Sequence, residues 1–165
     1  MALTEQLEWV TDRSPIDANL AAHLNFIKYD NFTDEQKALY ENGLKGAYTV
    51  TDMNRVDGNV DVIAERILEL QLWIEPIITR TWEKGDKIFL PMQEAYLNNI
   101  KHIRDALRFS DDVPDNFEGF DFQTANYIES LLDKYSRFSQ ALRVTPRWTG
   151  VGLTGASTIN VTGVV

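Results

Sequence analysis

The chain has 165 residues, 44% hydrophobic and 25% charged, which suits one domain of common size or two very small ones with a real core. Sixteen Lys and Arg against twenty-five Asp and Glu give a formal charge of -9, which opposes binding to a phosphate backbone, and no basic cluster offsets it. The absence of cysteine excludes disulfides and thiolate metal sites, and no stretch approaches the roughly 18 apolar residues of a membrane helix.

Met1 to Trp9 carries Glu5 and Glu8 and lacks a basic start followed by an apolar run, so it does not read as a secretory signal, and folding in a cytoplasm is expected. Ser14-Pro15-Ile16-Asp17 opens a helix: Ser14 caps free amides, Pro15 suits the first helical position, and Asp17 complements the positive end. Ile16, Leu20, Leu24 and Ile27 follow at helical spacing. Thr33-Asp34-Glu35-Gln36 is a capping box for a second, shorter helix that Gly43 or Gly46 would end, and the two read as a helical hairpin.

A third helix opens near Thr49 or Thr51. Met53, Val56, Val60, Ile63, Ile67, Leu70 and Ile74 alternate gaps of three and four along it, a heptad seam with Gly58 as its weak point and Pro76 as its end. Ile77 to Phe89 has β-branched and aromatic residues around Glu83-Lys84-Gly85-Asp86, which fits either a short β-hairpin near 77–89 or a plain ordered loop. Pro91 starts a fourth helix with Met92, Tyr96, Ile100, Ile103 and Leu107 on one face. Ser110 to Gly119 has the composition of an exposed acidic loop, and its oxygen spacing does not match an EF-hand. The last helix carries Ala125, Ile128, Leu132, Tyr135, Phe138 and Leu142 on its apolar face, and Pro146 closes it.

The fold expected is mainly α, a helical bundle or successive helical hairpins over 1–146, with any subdivision near 76–90. Residues 147–165 differ: four glycines are mixed with Thr, Ser and Val, and only Arg147 is charged. Thr158 to Thr162 alternates like a strand, so this stretch reads as a β-like arm able to add an edge to a neighbour, with Trp148, Ile159 and Val161 as candidate partner contacts. Three helices also begin alike, with Asn54, Asn98 and Asn126 each two positions before an aliphatic residue and downstream of a glycine-bearing turn. The offsets are unequal, so this is at most a reused turn-and-helix unit.

Leu44-Lys45-Gly46-Ala47-Tyr48-Thr49-Val50-Thr51-Asp52-Met53-Asn54-Arg55-Val56 resembles a stretch of minor structural proteins of tailed phages and prophages of Gram-positive bacteria. Trp9-Val10-Thr11-Asp12-Arg13, followed by Thr33-Asp34-Glu35-Gln36-Lys37, looks like the opening of the same proteins. Trp82-Glu83-Lys84-Gly85-Asp86-Lys87-Ile88, leading into Leu97-Asn98-Asn99-Ile100, is similar to a signature of their tail-tip and fibre proteins. The match spans about Trp9 to Leu107 and departs at Asn99 and Lys101, where a basic and an acidic residue are usual. The resemblance implies a component of a phage tail, baseplate or fibre, or of a phage-derived contractile particle. Such a component resides in the virion tail after assembly in the host cytoplasm. Its partners would be other tail or baseplate proteins and copies of itself, with no active site, cofactor or metal.

The residues themselves point the same way. His23 and His102 lie far apart on separate predicted helices and read as packing residues rather than ligands. Glu65 and Glu69 read as a solvated helix face rather than a glycosidase pair, and no nucleophile elbow or phosphate loop is present. A receptor- or glycan-binding module is an alternative function, with the four tryptophans as its stacking candidates, and a small regulatory adaptor unrelated to viruses is a third.

Overall fold

Three helices begin where a hydroxyl precedes an acid or amide by three residues, and each start is a complete capping box. Ser14 and Asp17 close the first, Thr33 and Gln36 the second, and Thr49 and Asp52 the third. The computed structural model describes residues 7–83, 89–117 and 121–144. Among them are five α-helices: α1 Pro15–Asn25, α2 Asp34–Glu41, α3 Val50–Glu69, α4 Leu90–Ala106 and α5 Phe122–Val144, with one 3-10 turn at Tyr29–Asn31.

The long helices α3, α4 and α5 pack on one another. Their shared core holds Val56, Ile63 and Ile67 of α3, Leu97, Ile100 and Ile103 of α4, and Ile128, Leu132 and Tyr135 of α5, all fully buried. Helices on either side of 76–90 therefore contribute to one core. A smaller cluster of Ala21, Leu24, Phe32 and Leu44 holds the α1–α2 hairpin together. Gly46 lets this hairpin seat closely, since a Cβ there would lie 1.9 Å from the Asp17 carbonyl oxygen.

Helix α3 stops short of Pro76. Leu70 caps it, Gln71 takes a φ of 59°, and the amides of Gln71 and Leu72 return to the carbonyls of Leu68 and Ile67, a Schellman ending. Arg108 ends α4 in the same way. Ile74 of the expected seam consequently lies beyond the helix, where it still packs against the main core.

The hairpin expected near 77–89 is not observed: residues 77–83 form no strand, and 84–88 lie outside the described residues. The reason is the partner. The backbone of this segment bonds to side chains of α3 and α4 rather than to a second strand. The β-like arm at 147–165 also lies outside the described residues.

Gly58 sits exposed in the middle of α3, and a Cβ there would meet nothing within 4 Å. Gly58→Ala is therefore expected to raise stability by about 0.5–1 kcal/mol by restricting the unfolded chain and restoring helix propensity. Urea denaturation checks this, and an unchanged or lower midpoint would contradict it.

Candidate interaction site

Two extended segments lie against the three-helix core, and helix side chains grip both by their main chain. The first is residues 7–13. Asn126 of α5 accepts from the Arg13 N–H at 3.1 Å and donates to the Arg13 carbonyl at 2.8 Å, a reciprocal pair that imitates one rung of a β-ladder. One turn further on, Glu129 accepts from the Val10 N–H at 2.7 Å. From α3, Asn59 and Arg55 both donate to the Glu8 carbonyl.

Glu129 is fully buried and also accepts from Arg13 at 2.8 Å and from Arg55 at 2.9 Å. Asp52 completes the cluster, 2.9 Å from Arg13 and 2.7 Å from Arg55. Two guanidinium groups thus face two carboxylates, so the buried charge is balanced within the cluster. Burial pushes the Asp52 carboxyl up, but the Thr49 amide, Arg55, the Thr49 hydroxyl and the Arg13 charge outweigh it and hold the group below the usual carboxylate range. Arg55 is raised: its bonds and attraction to Glu129 and Asp52 outweigh the opposing effect of its own burial.

The second segment, residues 72–83, runs back along α3. Asn99 of α4 makes the same reciprocal pair with Ile78, 2.9 Å in each direction, and Asn54 of α3 makes it with Trp82, at 2.7 and 2.9 Å. Between them the Arg80 amide donates to Asp57, and the Trp82 indole donates to Asp57 Oδ2 at 2.7 Å. His102 Nδ1 lies 3.2 Å from the Pro76 carbonyl. Asn54, Asp57 and Asp61 recur at gaps of three and four on α3, so one helical stripe serves this segment, while Asp52, Arg55 and Asn59 serve the other.

Burial raises the Asp57 carboxyl to about 6; the bonds from Trp82 and Arg80 oppose that rise, and the Asp61 charge adds to it. Because the folded-state value lies above the ordinary one of 3.8, the stability tied to this group is fully present below pH 3.8 and is lost as pH rises through 6. Asp57→Asn removes that titration. Relative to wild type, the variant is expected to gain about 1–2 kcal/mol between pH 4 and pH 8, after allowance for residual solvent screening. Urea titrations at the two pH values measure it; parallel pH profiles would contradict the assignment.

Several large apolar side chains are left on the surface. On the first hairpin, Ile16 is 79% and Phe26 90% exposed, with Leu20 beside Ile16 one turn along. Only Leu24 of the predicted α1 face is fully buried. Around the second segment, Leu72, Trp73, Ile78, Phe89 and Leu90 are exposed, Trp73 by 74% and Ile78 by 68%. A groove beside Trp73 is lined by Glu75, His102, Asp105 and Arg108.

Other candidate groups occupy ordinary surroundings. His23 is exposed on α1, Glu65 is exposed, and Glu69 pairs with Arg143 at 3.1 Å. The acidic loop is tied down: Asp111 binds Lys134 and Tyr135, Asp115 binds Lys101, and Val113 is buried beneath. Among the described residues, no group of three or more His, Cys, Asp or Glu is placed to hold a metal ion. No helix among them is long and apolar enough to cross a membrane.

Trp148, Ile159 and Val161 lie outside the described residues. Of the three asparagines singled out as a repeat, Asn54 and Asn126 are clamps; in α4 the role falls to Asn99, while Asn98 is exposed. The long-range roles of Glu129 and Asp57 carry no local sequence signal. No family model matches this chain, and no curated protein or solved structure matches it.

Proposed function

We propose that this chain is a structural subunit of a phage tail or baseplate, or of a phage-like contractile particle, acting through protein–protein contacts and not through catalysis. The observation that carries this reading is the set of large apolar side chains left exposed, Ile16, Leu20 and Phe26 on the first hairpin and Leu72, Trp73, Ile78, Phe89 and Leu90 around the second segment, on a domain whose core is already filled. Surfaces of that kind mark protein contacts. Supporting it, Trp9 to Arg13, Asn54, Arg55 and Trp82, among the residues that resemble phage tail proteins, take part in the clamps, together with Asn126 and Glu129 outside that match and Asn99 where it departs. The net charge of -9 disfavours nucleic acid as a partner. Other tail or baseplate proteins and copies of this chain are the partners, in the virion tail, after folding in the host cytoplasm. The β-like arm, through Trp148, Ile159 and Val161, adds a further contact.

A second reading is a receptor- or glycan-binding module at the tail tip. Trp73 favours it, since an exposed indole beside Glu75, Asp105 and Arg108 offers both a stacking face and hydrogen-bonding groups. Light scattering of the purified chain, alone and mixed with candidate tail proteins, separates the two. Incorporation into a large assembly supports the structural role. A stable monomer that ignores tail proteins but binds cell-wall glycan supports the module.

A further inference from the structure

In an extended chain the N–H and C=O of one residue point to the same edge, and those of the next residue to the opposite edge. Along residues 76–82 the bonds to the helices all come from even-numbered positions: the Pro76 carbonyl to His102, both groups of Ile78 to Asn99, the Arg80 amide to Asp57, and both groups of Trp82 to Asn54. The odd-numbered positions 75, 77, 79 and 81 therefore present their N–H and C=O to the other edge. No main-chain hydrogen bond joins these four to any described residue. Proline, the residue that blunts natural edges, falls at 76, on the helix side, so the outer row of donors is uninterrupted. The segment thus presents a free strand edge, to which none of the described residues adds a second strand.

We propose that this edge pairs with the same segment of a second copy, antiparallel and centred on Ile78, so that a two-stranded ribbon forms across a two-fold axis. Self-pairing is favoured by the sequence in that register. Ile77 faces Thr79 of the second copy and Glu75 faces Thr81 as hydrogen-bonded pairs, Arg80 faces Pro76, and no like charges meet. The two Ile78 side chains, 68% exposed in the single chain, become cross-strand neighbours at the close, non-hydrogen-bonded position on the axis. Centring on Thr79 would instead set Glu75 against Glu83. Centring on Ile77 would put on the axis a side chain already packed on its own core. This pairing deepens the self-association within the assembly reading and rests on it for its biological setting.

The chain has no cysteine, so one introduced thiol reports the contact cleanly. Ile78→Cys places two Cα atoms about 4.5 Å apart across the axis, within disulfide range, whereas Arg80→Cys leaves them about 13 Å apart along the ribbon. Under mild oxidation the full chain with Ile78→Cys is expected to give a covalent dimer, and Arg80→Cys about tenfold less. In light scattering the wild type is expected to dimerise and Ile78→Lys and Ile78→Glu each to be monomeric, while an equimolar mixture of the two recovers the dimer. Asn99 reads only the main chain of residue 78, so these variants keep the fold, which circular dichroism verifies. A monomeric wild type, a dimer that survives Ile78→Lys, or a dimer that appears only when residues 147–165 are deleted would overturn the proposal, the last by showing the arm to be the occupant. A chain that stays monomeric yet enters particles would sink the pairing alone; a dimer absent from particles would sink the tail assignment alone.

Discussion

Glu129→Ala is expected to destabilise the protein by about 3–5 kcal/mol, the scale for breaking a buried ion pair from one side. The carboxylate holds three things at once: the Arg13 guanidinium, the Arg55 guanidinium and the Val10 amide. Without it the fully buried Arg13 side chain keeps its hydrogen bonds to Asp52 and the Val10 carbonyl and its place over the Tyr48 ring, and two cations face one anion. The loss should concentrate where residues 7–13 meet α3 and α5. Urea denaturation gives the magnitude, and hydrogen exchange of the Val10 and Arg13 amides gives the location. Replacing Glu129 and Arg13 together by apolar residues of similar volume should recover much of the loss, because the cost arises from the stranded charge. A drop below about 1 kcal/mol for the single variant would show that the cluster does not fasten residues 7–13 to the helices.

Trp82→Ala should cost a comparable 3–5 kcal/mol from lost packing, with a further 1–3 kcal/mol from the acceptor it leaves unsatisfied on Asp57. Trp82 is buried between α3 and α4, in edge contact with the Tyr96 ring at 6.4 Å, with the Arg80 guanidinium 4.5 Å above its own ring. Trp82→Phe separates the two contributions, since it keeps most of the ring volume and loses the indole donor. The phenylalanine variant should lie between wild type and alanine in thermal melts, and its deficit should shrink at low pH as Asp57 takes up a proton. A pH-independent deficit would contradict the indole–carboxylate bond as the cause.

What could be read from the sequence follows from how local each determinant is. The starts of α1 and α2 were legible because a cap and its partner lie within four residues, whereas that of α3 was placed only near Thr49 or Thr51, and Thr49 with Asp52 proves to be the cap. The end of α3 was not legible, since glycine normally signals a left-handed ending and Gln71 fills that position here. Apolar spacing identified the faces of α3 and α4 and that of α5 through Tyr135, while Phe138 of the expected α5 face is exposed, and on α1 it could not tell whether Ile16 and Leu20 face this chain's core or another surface. The β-branched run at 77–83 correctly signalled extended backbone and misled about its partner, because side-chain amides 21 and 28 residues away take the place of a strand. In α4, the shift from Asn98 to Asn99 is one residue in sequence but about 100° around the helix, enough to exchange solvent for the clamped segment. Glu129 reads locally as one polar residue on an amphipathic helix; its partner Arg13 is 116 residues away.

A structural subunit of a tail is a fixed part of the particle. Tail particles would be purified by density gradient from a strain that encodes it, and the chain quantified by mass spectrometry against the other tail proteins before and after a high-salt wash. A constant ratio to those proteins that survives the wash is expected, since apolar surfaces rather than exposed charges form the contacts. Absence of the chain from the particles, or a ratio that falls to zero on washing, would contradict it.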